Sequence, residues 1–118
     1  MSHWHSMTNP DCFNETQITC KAGTKPDSPW FSGHFPGDPI LPGIAQIAMV
    51  FDVIKQVHTE SRKLSEIRRV RFKQVIRPDD GLDLIITSCA EGSGHYLFKI
   101  MVKGELACSG TMIVERSG

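Results

Sequence analysis

The stretch Phe31-Ser-Gly-His-Phe-Pro-Gly-Asp-Pro-Ile-Leu-Pro-Gly43 runs straight into Ile44-Ala-Gln-Ile-Ala-Met-Val-Phe-Asp-Val-Ile-Lys-Gln-Val-His58, and together they decide the fold. The first part belongs to a longer segment, Lys25 to Gly43, that holds five prolines and three glycines. Proline fixes φ and removes a backbone donor, so this segment makes neither a regular helix nor a central strand. A long irregular stretch inside a compact domain tends to be functional. The second part has the opposite character. Ile44, Ile47, Ala48, Phe51, Ile54 and Val57 recur mostly at spacings of three and four, and Val50 and Val53 widen the stripe. That pattern predicts a mostly buried helix over Ile44–His58, with Pro42 preset for its first turn.

Outward from this pair, the chain reads as β. Glu15 to Ala22 alternates polar and apolar residues, as a half-buried strand does. After the helix, Thr59 to Ser65 is mainly polar and reads as a loop. Four strands are expected beyond it: Ile67–Ile76, Leu82–Cys89, His95–Val102 and Leu106–Glu115. Turn signals separate them at Arg77-Pro-Asp-Asp-Gly81, Glu91-Gly-Ser-Gly94 and Lys103-Gly104-Glu105. One strand, one helix and four meandering strands make an α+β domain, in which the sheet wraps the helix. Its free edges invite pairing with a second subunit. Residues 1–14 read as an irregular N-terminal tail and 15–118 as a single domain.

Bulk properties exclude several classes of function. The chain has 118 residues, 40% of them hydrophobic and 22% charged, the balance of an ordinary globular domain. Thirteen Lys and Arg match thirteen Asp and Glu, so no global field draws the chain to nucleic acid or to a membrane surface. No apolar run approaches a membrane span, and the first residues lack the pattern of a signal peptide. Cys12, Cys20, Cys89 and Cys108 form no CxxC pair and no metal-ligand spacing with histidine. Cys20, Cys89 and Cys108 read as reduced core thiols of a cytosolic protein. His3 and His5 read as part of the tail rather than as a metal pair, and no metal or organic cofactor is expected.

The window Gly33-His-Phe-Pro-Gly-Asp-Pro-Ile-Leu-Pro-Gly43 reproduces in full the GHFPGxPxxPG signature of the β-hydroxyacyl-acyl-carrier-protein dehydratases, and the chain strongly resembles that family. The likeness extends to Val70-Arg-Phe-Lys-Gln-Val-Ile-Arg-Pro-Asp-Asp80, where Asp79 replaces the glycine of the family's Pro-Gly-Asp turn. It continues to Lys103-Gly-Glu-Leu-Ala107, which looks like the last hairpin. The resemblance implies a hot-dog fold: a long central helix wrapped by a curved antiparallel sheet, usually dimeric. It also implies dehydration of 3-hydroxyacyl thioesters, delivered on acyl carrier protein, to trans-2-enoyl thioesters.

That reaction needs a base beside the carbon next to the carbonyl, an acid at the departing hydroxyl, and donors at the thioester oxygen. Imidazole titrates near neutrality, so His34 suits the base. Gly43 at the helix start offers an outward backbone N–H reinforced by the helix dipole, and no side chain bars the carbonyl. The resemblance assigns both residues those roles. It also places a Glu or Asp five residues beyond the last glycine, where this chain has Ala48.

Three readings follow from Ala48. Asp52 lies four residues further, on nearly the same helix face, and substitutes as the acid. Alternatively, Gln46 orients a water or hydroxyl by hydrogen bonding. In the third reading the protein is an acyl-thioester hydrolase or a non-catalytic acyl-carrier-binding subunit. Phe31, Phe35, Pro42, Gln46 and Ala48 are the expected substrate-lining positions.

The remaining candidates have plainer readings. His58 suits the helix C-terminus, and His95 an exposed strand start. Trp30 and Met49 line an acyl tunnel or simply fill the core. Arg69, Arg71 and Lys73 share one strand face, with Val70 and Phe72 on the other. They make a solvated surface or a dock for an acidic carrier protein. Only Phe72 interrupts the basic set, which argues against nucleic acid.

Overall fold

The structure, a computed structural model, describes residues 6–7, 11–12, 17–24, 41–57, 61–89 and 94–116. His34, and with it Trp30, Phe31, Phe35 and His58, lies outside the described residues.

Among the described residues the chain forms β1 (Ser6–Met7), β2 (Asp11–Cys12), β3 (Gln17–Gly23), α1 (Gly43–Val57), β4 (Arg62–Phe72), β5 (Leu82–Ser88), β6 (His95–Val102) and β7 (Glu105–Arg116). The strands make one antiparallel sheet in the order β1-β3-β5-β6-β7-β4, and β2 also pairs with β3. Period-two alternation builds it: Ile18, Cys20 and Ala22 of β3, Leu82, Leu84 and Ile86 of β5, and Tyr96, Phe98, Ile100 and Val102 of β6 all point into one core. The helix lays Ala45, Met49, Val50, Val53 and Ile54 against that core. Each fully buried large side chain there contributes roughly 1.5–3 kcal/mol by leaving water.

The helix begins at Gly43 and ends at Val57, within a residue of its expected span. Met49 is fully buried in the core. Two strand boundaries, both of β4, differ from the sequence reading by four residues or more. The polar linker Thr59–Ser65 is not a loop throughout, because β4 already starts at Arg62, which pairs with Arg116 of β7. As a sheet edge among the described residues, β4 keeps much of its surface in solvent, so polar residues suit it as well as apolar ones do. At its other end β4 stops at Phe72, not Ile76. Both the Lys73 and the Gln74 N–H donate to the Ala107 carbonyl, at 2.7 and 3.3 Å, which ends the ladder. Ala107 is free to receive both because β7 bulges there: Ile100 faces Cys108 while Met101 faces Leu106.

Two further corrections concern side chains. Cys20 and Cys108 are buried free thiols, but Cys89 is exposed, because Leu82, Leu84 and Ile86 take the inner face of β5 and alternation puts position 89 on the outer one. The strict alternation assigned to Arg69, Arg71 and Lys73 breaks at Arg69, which has a φ of 56° inside a bulge between Arg68 and Arg71. All three remain exposed, with Lys73 just past the strand.

Candidate active site

The site is built where the irregular segment enters the helix. Pro42 is the helix cap: its carbonyl receives the Ala45 N–H at 3.1 Å and the Gln46 N–H at 3.3 Å. An α-helix leaves its first N–H groups without internal partners. Here those are the amides of Gly43 and Ile44, and neither has a partner among the described residues. They sit at the positive end of a helix of 15 residues, the place where a negative oxygen is stabilised.

Glycine at position 43 has a steric reason. A Cβ there would stand 2.6 Å from Phe72 Cζ and 3.1 Å from Cε1, inside van der Waals contact. The end of β4 therefore delivers an aromatic ring onto the first residue of the helix. That ring is 53% exposed, an unusual state for phenylalanine. The sequence reading put Phe72 on the inner face of its strand but gave it no part in the site. Its position between Arg71 and Lys73 was the available signal. Ile44, 72% exposed, and Val75, 51% exposed, add apolar surface near the same end.

The segment before the helix is tied down at Leu41. Its N–H donates to the Ile76 carbonyl at 2.7 Å, and its own carbonyl accepts the Gln46 side-chain amide at 3.3 Å. Leu41 itself is buried. Gln46 is only 3% exposed, and its Oε1 has no hydrogen-bond partner among the described residues. A buried acceptor left so costs about 1–3 kcal/mol.

At the position where the resemblance places an acid, Ala48 is half-buried on the helix, and Asp52, the expected substitute acid, lies one turn beyond it. The Asp52 side chain is partly exposed, and its Oδ1 lies 3.4 Å from Lys55 Nζ. Lys55 also stands over the Phe51 ring, 4.9 Å from its centroid. Helix i,i+3 pairs of this kind contribute only a few tenths of a kcal/mol, roughly 0.2–0.5. The structure thus places Gly43, Gln46, Ala48 and Asp52 on one helix with Pro42 as its cap, while Arg69 and Arg71 lie at the adjoining end of β4 and Lys73 just past it.

The turn carrying the replaced glycine lies next to this region. Asp79 has a φ of 67°, in the left-handed range where glycine is at ease and Asp is one of the better-tolerated substitutes. Its N–H donates to the Thr24 carbonyl at 2.7 Å, and the Arg77 N–H donates to Asp80 Oδ2 at 2.8 Å. Asp79 therefore keeps the glycine conformation without the glycine. No cluster of three or more His, Cys, Asp or Glu side chains able to hold a metal occurs among the described residues.

Among the described residues one helix is wrapped by an antiparallel sheet, which is the architecture of a hot-dog domain. The chain belongs to the ApeI-like dehydratase family, whose model matches residues 10–111. It is similar to the 3-hydroxyacyl-[acyl-carrier-protein] dehydratase FabZ of Levilactobacillus brevis, with 32% identity over 102 residues that cover 78% of this chain and 68% of the relative. The FabZ of Caldicellulosiruptor saccharolyticus is 36% identical over 98 residues, covering 74% of this chain and 69% of the relative. Among solved structures, the dehydratase heterocomplex ApeI:P from Xenorhabdus doucetiae superposes with a TM-score of 0.82 at 25% identity, covering 94% of this chain and 97% of that one.

Proposed function

We propose that the protein is a dehydratase acting on 3-hydroxyacyl thioesters carried by acyl carrier protein, and that it yields trans-2-enoyl thioesters. The observation that carries this reading is the Gly43 amide. It is an unpartnered donor, among the described residues, at a helix N-terminus, on the last residue of a complete GHFPGDPILPG sequence. In this reading the thioester oxygen approaches the Gly43 N–H. The negative charge that develops there as the neighbouring carbon loses its proton is met by that donor and by the helix dipole. His34 takes the proton. Asp52 gives a proton to the departing hydroxyl, filling the role that Ala48 leaves open. The exposed ring of Phe72 and the lining at Phe31, Phe35, Pro42 and Ala48 hold the acyl portion, while Gln46, expected there too, is buried behind it in the core.

Exposed Arg69, Arg71 and Lys73 support docking of an acidic carrier protein beside this entrance. Exposed Ile44, Phe72 and Val75 support a homodimer that covers the same end of the helix.

His34→Ala should abolish turnover of a 3-hydroxyacyl thioester, and undiminished turnover would remove His34 from the mechanism. Asp52→Asn should slow the reaction by more than about tenfold, a modest share of the usual acid–base contribution. A smaller change leaves Asp52 as the surface partner of Lys55.

Ala48 favours a second reading, in which the chain is a non-catalytic acyl-carrier-binding subunit of a larger assembly. The similar structure from Xenorhabdus doucetiae is itself a heterocomplex. Carrier binding without any turnover by the isolated protein would favour this reading over the first.

A further inference from the structure

Gln46 occupies the buried face of α1, among Ala45, Met49, Val50, Val53 and Ile54. By pattern this position calls for an apolar side chain. What the chain has instead is an amide with its Oε1 unpartnered among the described residues and its Nε2 given to Leu41. The bond to the Leu41 carbonyl also fixes which way the amide points, since the flipped form would set oxygen against oxygen.

We propose that Gln46 is a positioning residue that aims the Gly43 amide at the substrate oxygen; this rests on the dehydratase reading above. Leu41 is gripped on both sides, by Ile76 through its N–H and by Gln46 through its C=O. Pro42 alone separates it from Gly43, and the Pro42 φ is locked by its ring. With Leu41 held and Pro42 stiff, the Gly43 peptide plane has little freedom left. Gln46 closes the loop from inside: its own backbone N–H caps on Pro42 while its side chain holds Leu41. One residue thus ties the last two residues before Gly43 to the first turn of the helix. Oxyanion donors act only when preset, and a small misplacement is costly in rate. A buried amide whose acceptor has no partner among the described residues lowers stability relative to a methionine of similar size, so its use lies in geometry.

The test is Gln46→Met in the full chain, with three readings. The thermal midpoint should be unchanged or higher. The Leu41 N–H should exchange with solvent deuterium at least about tenfold faster, and the Gly43 amide resonance should shift, because one grip on the loop is gone. With a 3-hydroxyacyl thioester, kcat should fall at least about tenfold while KM moves little, the split expected when a transition-state donor is misaimed. Gln46→Glu adds a pH signature. At low pH the new carboxyl is protonated and donates to the Leu41 carbonyl. As pH rises it loses that proton, and kcat of the variant should fall where the parent's does not.

Unchanged Leu41 exchange and an unmoved Gly43 resonance in Gln46→Met would overturn the proposal. So would a lowered thermal midpoint with kcat intact, which marks a purely structural residue. If the parent protein does not turn over the thioester, the dehydratase reading fails, and the exchange and resonance readings still decide whether Gln46 sets the Gly43 amide.

Discussion

In the first helical turn, backbone donors left over by helix geometry meet an aromatic ring that lies against the bare Gly43. Two features meet at Gly43: the Phe72 ring lies where a Cβ would stand and would have to shift for one, and the Pro42 carbonyl turns inward to cap the helix, leaving the Gly43 N–H outward. Ala48 offers no proton-transfer group, so any acid must come from elsewhere. Elsewhere single residues show burial acting directly on chemistry. Desolvation pushes the Cys108 thiol up from its ordinary 9.0 to about 11. Between those two values the unfolded chain has released this proton and the folded chain still holds it. Stability is therefore intact below that window and declines as pH rises through it. Burial raises the Tyr96 hydroxyl too, which acts in the same direction. Denaturant unfolding on either side of the window should show this decline, and Cys108→Ala should flatten part of it. An equal slope in the parent and in Cys108→Ala would contradict the burial argument.

At the scale of elements, the β6–β7 hairpin shows how local chemistry sets register. Lys103 and Gly104 have φ of 53° and 80°, a two-residue turn with both residues left-handed, and it holds Val102 opposite Glu105. Such turns favour Asn-Gly. Lysine in that conformation costs on the order of 1 kcal/mol, so Lys103→Asn should stabilise the protein by up to about that amount. The denaturant midpoint measures it, and an unchanged midpoint would contradict the turn assignment. This hairpin, the helix and β5 were legible in the sequence because turn residues and apolar periodicity agreed there. The start of β4 was not. Arg62 to Leu64 pairs with β7, but the polar composition of this stretch suits a sheet edge and a loop equally. Cys89 reads as core from its apolar neighbours, yet alternation along β5 puts it on the face opposite Leu82, Leu84 and Ile86. At the site, Gly43 and its role in the helix start could be read from the motif. The ring of Phe72 over Gly43 and the grip of Gln46 on Leu41 could not, because both depend on how β4 and the loop pack onto α1.

Taken whole, the molecule is one antiparallel sheet around one helix, with β4 and the short β1 and β2 at its margins among the described residues. The helix start, the end of β4 and the exposed Ile44, Phe72 and Val75 all gather at one end, which concentrates the proposed chemistry and the proposed subunit contact together. Zero net charge leaves steering to local patches such as Arg69, Arg71 and Lys73. The family is shared with dehydratases, and no helix among the described residues is long and apolar enough to cross a membrane. The most direct measurement of the central claim is mass spectrometry of a 3-hydroxyacyl group on carrier protein after incubation with the purified protein. The account predicts an acyl group lighter by one water and still attached as a thioester, formed by the parent and not by His34→Ala. Release of free acid and free thiol, or an acyl group that comes back unchanged, would contradict it.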